Sequence, residues 1–196
     1  MSGPRRFSQA ISEGDGISLI AQVDEPTAAA RVEADGAEAV LVPRGGEARL
    51  AEIRDATSLP IVCHWGGRGD QLVGADACLL DARGDGDRES FEGVQRELGD
   101  SLELALWIED EDQLETALEE LDPEIFVLAA GDARGEEALE QVLDLLPDVP
   151  AGKLAIAAVG TADLDDVGAL ERAGFDGVIV DAGSVAGAAG EPPPEV

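Results

Sequence analysis

The chain has 196 residues, and 44% of them are hydrophobic, which is enough for one sizeable core in a single domain. Acidic residues number 43 against 13 basic ones, so the formal net charge is −30. A field of this sign repels the phosphates of nucleic acids and of anionic membranes, and both are excluded as partners. The sequence has no apolar run of transmembrane length and its first residues lack the apolar segment of a signal peptide, so we expect a cytoplasmic protein.

Eight short apolar runs predict β-strands, and most are followed by a charged stretch with helical periodicity. The predicted strands are residues 17–24, 38–42, 60–65, 77–81, 102–108, 124–130, 153–159 and 177–181. The predicted helices are residues 26–34, 47–55, 88–98, 111–121, 136–146 and 162–173. Strands that are apolar throughout are typical of a parallel sheet covered on both faces. The alternation therefore predicts an α/β fold, a compact (β/α)8 TIM barrel of eight parallel strands.

Residues that commonly begin or end helices stand at the predicted helix boundaries. Asp110 and Thr161 are predicted helix N-caps, and Gly36, Gly99 and Gly174 stand where helices are expected to end.

The barrel is shorter than usual, and the missing length falls at two places. Only residues 66–76 separate the third and fourth strands, and a Gly/Pro-rich stretch follows the eighth, so we expect the third and eighth outer helices to be short or missing. We expect a single barrel domain over residues 1–185 and a flexible C-terminal tail over 186–196. Uncovered strand faces favour a partner, so a homo-oligomer is expected unless residues 6–13 cover a gap.

Two cysteines, Cys63 and Cys78, lie in or beside predicted strands without metal-ligand or redox spacing, so reduced, packed thiols are expected. The chain has a single lysine, Lys153, which opens the seventh predicted strand. The chemistry of such barrels takes place at the C-terminal ends of the strands, so this lysine is predicted at the opposite, stabilising end. Lysine aldolase chemistry is thereby excluded.

Several stretches resemble indole-3-glycerol-phosphate synthase. Residues 102–115, with Leu-Trp-Ile-Glu-Asp, look like the fifth strand and helix of that family, and residues 126–135 resemble its sixth strand. Residues 154–180 are similar to its seventh and eighth units, and residues 19–24, 59–65 and 74–80 look like its first, third and fourth strands. The resemblance covers roughly residues 17–185 and implies a barrel of the ribulose-phosphate-binding group.

Carried over position by position, the resemblance implies that the lyase reaction of tryptophan biosynthesis is lost. The family uses lysine, glutamate, asparagine and serine side chains at the strand ends. The residues at those positions here are Gln22, Asp24, His64, Trp107, Ala129, Ala158 and Val159.

These positions leave one imidazole and one carboxylate at the predicted C-terminal rim. We predict His64 and Asp24 as an acid–base pair, with Gln22 and Trp107 binding a small molecule. The alternative is a histidine that only fills the rim. No cofactor is predicted, and no metal: Asp24, His64, Asp81 and Asp181 all end strands, but acidic residues are abundant enough for that to be coincidence.

Phosphate binding is the second open question at the rim. Barrels of this group hold phosphate with backbone N–H groups after the seventh and eighth strands. Gly160, Thr161, Gly183 and Ser184 are the residues for such a cradle, and Asp181 beside them would repel an anion. We therefore expect a small-molecule ligand, which is phosphorylated only if this cradle binds phosphate.

Two functions of different class follow. One is a divergent enzyme, lyase-like or isomerase-like and without lysine chemistry, that binds a small molecule at the rim. The other is a non-catalytic barrel, a pseudoenzyme that serves as a binding or assembly partner. An open pocket in which the side chains of His64 and Asp24 converge favours the enzyme, and a mouth plugged by Trp65 and Trp107 favours the partner role.

We predict a salt-rich, halophilic cytoplasm for this acidic protein. Self-repulsion from a net charge of −30 destabilises a compact fold in dilute buffer, and molar salt screens it because the Debye length falls to about 3 Å. The melting temperature should therefore rise between dilute buffer and molar KCl, as followed by circular dichroism. An unchanged melting temperature would contradict this origin of the charge.

Overall fold

The computed structural model describes residues 5–13, 16–65, 72–82, 96, 102–121 and 123–189. Eight parallel strands form a closed barrel in which each strand pairs with the next along the chain and β8 pairs with β1. The predicted (β/α)8 fold is confirmed. The strands are β1 Ser18–Gln22, β2 Ala39–Val42, β3 Ile61–His64, β4 Ala77–Asp81, β5 Glu103–Ile108, β6 Ile125–Ala129, β7 Leu154–Gly160 and β8 Gly177–Asp181.

Helices surround the barrel and lie close to their predicted positions. The described helices are α1 Arg6–Ser12, α2 Pro26–Ala34, α3 Leu50–Ala56, α4 Glu111–Glu120, α5 Glu136–Leu145, α6 Leu164–Ala173 and α7 Val185–Ala188. A 3-10 turn at Glu47–Arg49 precedes α3, and another at Leu146–Asp148 follows α5. The predicted helix at 88–98 lies, except for residue 96, outside the described residues.

Among the predicted helix ends that lie in the described residues, one is wrong. Asp110 is the N-cap of α4 and accepts a hydrogen bond from the Gln113 amide, and Gly174 ends α6 in the left-handed conformation. The N-cap of α6 is Asp163, so the prediction of Thr161 was wrong. The Thr161 amide donates instead to the Val159 carbonyl in a tight turn, which delays the helix by two residues. Gly99 lies outside the described residues.

The eighth outer helix is confirmed as short, since α7 has only four residues. It nevertheless packs against the barrel, because Val185 and Ala188 are buried. Between β3 and β4 the described residues 72–76 hold no α-helix, and residues 66–71 are outside the description. The predicted tail begins within α7, and its residues 190–196 also lie outside the described part. None of the described helices is long and apolar enough to cross a membrane.

The barrel interior is filled by alternate residues of the strands. Because successive side chains of a strand point to opposite faces, one set faces inward and the other packs beneath the helices. The inner cluster consists of Phe7, Ile11, Ile20, Ala39, Leu41, Val62, Ala77, Leu79, Ala105, Ile125, Val127, Ile156 and Ile179.

Helix α1 closes the N-terminal end of the barrel, so the alternative in which residues 6–13 cover a gap between the outer helices is not what the structure shows. Phe7 and Ile11 are 1% and 2% exposed and belong to the inner cluster. The amides of Phe7 and Ser8 donate to the carboxylate of Glu103, the first residue of β5. An inward-facing acid at the base of the barrel thus caps the helix that seals it.

Lys153 lies where predicted, immediately before β7 at the N-terminal end of the barrel. Its Nζ is 3.5 Å from Oε1 of Glu124, which precedes β6. The lysine therefore belongs to the stabilising end and is separated from the C-terminal end by the packed interior.

Cys63 and Cys78 face each other as register partners on β3 and β4, and both are free, buried thiols. Burial raises the pKa of each thiol to about 12. The thiols are therefore protonated at neutral pH and pack as small apolar side chains, as predicted.

We expect Phe7→Ala to destabilise the fold by about 3–5 kcal/mol, because it removes the largest side chain that α1 places inside the barrel. Urea unfolding in high salt measures this change. Gln9→Ala is the matched control on the exposed face of the same helix and should change stability by less than about 0.5 kcal/mol. Equal effects of the two variants would show that α1 does not seal the core.

Candidate functional site

The C-terminal end of the barrel, called the mouth below, is bounded by inward-facing strand residues. Each lies two positions beyond a residue of the inner cluster on the same strand and so shares its direction. The mouth residues are Gln22, His64, Asp81, Trp107, Ala129, Ala158 and Asp181. Gln22, His64 and Trp107 of the predicted site therefore come together at this end, which is the catalytic end in barrels of this architecture.

His64 is held by a carboxylate from the neighbouring strand. Its Nε2 is 2.8 Å from Oδ1 of Asp81, and the two side chains are only 15% and 18% exposed. The contact follows from the register, because His64 pairs with Leu79 and Asp81 is the next inward residue on β4. A largely buried hydrogen bond of this length fixes the orientation of the imidazole.

The predicted partner of His64 was Asp24, and the structure does not bring these two together as a pair. Asp24 follows β1, which is separated from β3 by the whole of β2, and its side chain is exposed. The carboxylate that reaches His64 belongs to β4, the adjacent strand. Asp24 remains at the rim beside the mouth.

Trp107 forms the wall next to the histidine. Its ring stacks on the His64 imidazole with the centroids 5.7 Å apart and the planes inclined by 29°. Its indole Nε1 donates to Oε1 of Glu109 over 2.9 Å. The imidazole is therefore restrained through both its edge and its face.

Asp81 has a second partner, the guanidinium of Arg44 from the loop after β2. The arginine contacts Oδ2 while the histidine contacts Oδ1, so one carboxylate joins both groups. A guanidinium stays charged at any physiological pH, so Asp81 lies between a permanent cation and the imidazole.

The second ring nitrogen of His64, Nδ1, has no hydrogen-bond partner among the described residues. The His64 side chain is 15% exposed. An imidazole that is fixed at Nε2 by a carboxylate and open at Nδ1 can accept or donate a proton at one defined position.

Two backbone donors of the predicted phosphate cradle are engaged within their own turns. The Thr161 amide bonds to the Val159 carbonyl over 2.9 Å, and the Ser184 amide bonds to the Asp181 carbonyl over 2.8 Å. Gly160 has a φ of +75° at a register shift between β7 and β8, so glycine is required there by the turn itself. Gly183 lies beside open space.

A carboxylate lies beside the first turn of this cradle. A Cβ placed on Gly160 would lie 3.9 Å from Oδ2 of Asp181, the last residue of β8. Asp181 is exposed, and no described residue bonds to its side chain. The electrostatic environment of the cradle is therefore negative, as the sequence indicated.

A metal site is not formed by the described residues. Within the described ranges no three His, Cys, Asp or Glu side chains are grouped to hold an ion. Asp24, His64, Asp81 and Asp181 all belong to those ranges, so their common position at strand ends does not make them a coordination set.

Sequence reasoning placed the histidine but missed the roles of Asp81, Arg44 and Glu109. The adjacency of β3 and β4 was the available signal for Asp81, because residues at the ends of consecutive parallel strands are neighbours. Arg44 and Glu109 lie in loops beyond the strands, where no periodicity predicts side-chain direction.

Curated relatives of this chain are indole-3-glycerol phosphate synthases. The enzyme of Variovorax paradoxus is 31% identical over 145 residues, which cover 70% of this chain and 54% of the relative. The enzyme of Acidithiobacillus ferrooxidans is 29% identical over 150 residues with the same coverage. The chain thus spans about half the length of the curated relatives it matches, and no family model matches it.

Solved structures show the same fold. An aldolase designated QR15 superposes with a TM-score of 0.66 at 19% identity, covering 88% of this chain and 92% of that one. A variant of the citrate synthase SbnG superposes with a TM-score of 0.67 at 14% identity, covering 89% and 90%. The chain is a TIM barrel and a distant homologue of indole-3-glycerol phosphate synthase.

We expect the neutral His64 to carry its proton on Nε2, because an ionised Asp81 can only accept a hydrogen bond. The chain has one histidine, so long-range ¹H–¹⁵N correlation spectra contain a single imidazole and report its tautomer directly. Asp81→Asn should produce a mixture of the two tautomers, since an amide can donate as well as accept. A dominant Nδ1–H form in the unmodified chain would contradict the assignment.

Proposed function

We propose that this barrel binds a small molecule at its mouth and transfers protons to and from it through His64, which Asp81 positions. We also propose that it has lost indole-3-glycerol phosphate synthase activity. The observation that carries the first proposal is the 2.8 Å contact of Nε2 with Asp81, which leaves Nδ1 without a hydrogen-bond partner among the described residues. This corrects the predicted His64/Asp24 pair to His64/Asp81.

The proton transfer follows from the two ring nitrogens. A ligand in the mouth presents an acidic C–H, O–H or N–H to Nδ1, whose lone pair takes the proton. The imidazolium that forms keeps its Nε2–H on Asp81, which stabilises the positive charge. Return of the proton from Nδ1 to another atom of the ligand completes an isomerase-like or lyase-like step without lysine.

The lost synthase activity is supported by what lines the mouth. Ala129 and Ala158 have no functional group, and Trp107 fills the position at which the resemblance expects a glutamate. The chain's lone lysine is beside Glu124 at the other end of the barrel. An ammonium group therefore cannot act as a proton donor at the mouth of this chain.

The arrangement of the two tryptophans supports catalysis over a purely structural partner role. A partner barrel was expected to have a mouth plugged by both rings. Trp65 packs instead against the outer cluster beneath the helices, and only Trp107 belongs to the inner side.

Two measurements test the proposal. Expressed in a tryptophan auxotroph that lacks the synthase, the full chain should not restore growth, although immunoblotting shows it in the soluble fraction. Growth would overturn the loss of synthase activity. A thermal-shift screen of metabolites in molar KCl then finds ligands, and NMR follows their turnover or their exchange of protons with D₂O.

His64→Gln is the decisive variant because glutamine retains a donor toward Asp81 but cannot transfer a proton. We expect it to keep ligand binding and to lower turnover by at least about 100-fold, with a smaller loss for Asp81→Asn. Glu119→Gln, an exposed change on α4, is the control and should leave turnover unchanged. Turnover of a bound ligand that is undiminished in His64→Gln would refute the catalytic role.

A further inference from the structure

We propose that Glu109 is a positioning residue. By accepting the indole N–H of Trp107, it keeps this ring against His64 and leaves the opposite side of the mouth open for the ligand. This role rests on the proposed function, because the ligand concerned is the one on which His64 would act.

The ring of Trp107 extends past the end of β4. Trp107 is the register partner of Asp81 on β4, and His64 lies one strand further along the ring of strands, on β3. The indole nevertheless stacks on the imidazole, with the two centroids 5.7 Å apart. The ring therefore leans toward the β3 and β4 side of the mouth.

The β6 and β7 side offers the indole a second position. The register partner of Trp107 on β6 is Val127, and the next inward residue of that strand is Ala129. Ala158 is the register partner of Ala129 on β7. A methyl group does not block an indole, and aromatic residues in strands commonly adopt either of two χ1 rotamers. The strands alone therefore leave both positions available to the ring.

The hydrogen bond to Glu109 distinguishes these two positions. The indole Nε1 is the only donor of a tryptophan side chain, and it donates to Oε1 of Glu109 over 2.9 Å. A hydrogen bond to a carboxylate is about twice as strong as one between neutral groups. Turning the ring away from His64 would move Nε1 and break this bond. The carboxylate therefore favours the stacked position.

Glu109 is held in turn by the first residues of α4. Its amide donates to Oε1 of Gln113 over 2.9 Å. The carboxylate of the N-cap Asp110 accepts from the amide and from the side-chain Nε2 of Gln113, over 2.8 and 2.9 Å. The start of the helix thus fixes the backbone of the residue that holds the ring.

The position of the ring decides which part of the mouth a ligand can occupy. With the indole on His64, a ligand can lie over Ala129 and Ala158. With the indole over these alanines, a ligand must first displace it, and its apparent affinity falls with the fraction of molecules in which the mouth is open. Glu109 therefore serves the proposed reaction through Trp107.

Glu109→Ala tests this role on the full chain without any ligand. Glu109→Gln is the conservative variant, and Glu111→Ala, an exposed change in the first turn of α4, is the control. Nuclear Overhauser contacts of the Trp107 indole, to the imidazole of the lone histidine and to labelled alanine methyl groups, report the position of the ring. Trp65→Phe assigns the two indoles. Spectra are recorded in molar KCl after circular dichroism has shown the native fold.

We expect Glu109→Ala to lose the contacts between the indole and His64 and to gain contacts with Ala129 and Ala158, because the ring has lost its acceptor. The imidazole signals should move toward those of free histidine, since the ring current of the indole no longer acts on them. Glu109→Gln should keep the stack, because its amide oxygen also accepts the indole N–H. Glu111→Ala should leave all contacts unchanged.

Three outcomes would overturn the positioning role. One is an indole that stays on His64 in the folded Glu109→Ala variant. Another is loss of the stack without contacts to either alanine, which would remove the second position of the ring. The third is an unmodified chain in which the indole does not contact the imidazole, and this test stands even if Glu109→Ala does not fold.

The two proposals fail in different ways. If Glu109→Ala releases the indole but His64→Gln leaves turnover of bound metabolites unchanged, the catalytic role is wrong and the positioning role stands. If His64→Gln abolishes turnover but the indole keeps its place in Glu109→Ala, the positioning role is wrong and the catalytic role stands.

Discussion

Closure of eight parallel strands into one hydrogen-bonded ring is the constraint from which the rest of this structure follows. Each strand has its sequence neighbours on either side, and alternate residues point into the ring. Two consequences concern the candidate site. The last inward-facing residues of the strands lie together at the C-terminal end of the barrel, and side chains of adjacent strands are the ones close enough to contact each other there. The contact of His64 with Asp81 on β4 is the direct result.

The same constraint explains what the sequence could and could not predict. Apolar runs bounded by glycine and charge located every strand, and β4 and β8 were predicted to the residue because each starts after a Gly- or Asp-bearing turn and ends at an aspartate. The inward direction of His64 and Trp107 followed from alternation. Which carboxylate reaches the imidazole depends on strand adjacency and side-chain length, so the contact is made by Asp81 on the adjacent strand, while the predicted partner Asp24 lies two strands away.

Helix ends and loops are the second part of the structure that the sequence could not fully predict. Threonine is a common N-cap residue, but the left-handed conformation of Gly160 places the Thr161 amide in a turn, where it bonds to the Val159 carbonyl. The helix begins later, with Asp163 and Asp166 forming the capping box. A local preference was overridden by the backbone at the β7–β8 register shift. The same turn engages the Thr161 amide and lies beside the carboxylate of Asp181, which makes this part of the mouth negatively charged.

Because α1 closes one end of the barrel, it restricts how a ligand can enter and leave. Phe7 and Ile11 fill one end of the barrel and the inner cluster fills its centre, so no route leads through the ring. A ligand of the mouth must therefore arrive and depart by the same opening. In the proposed reaction, a product that stays bound there blocks the next molecule, so product inhibition would be competitive and product release would set an upper bound on the turnover rate.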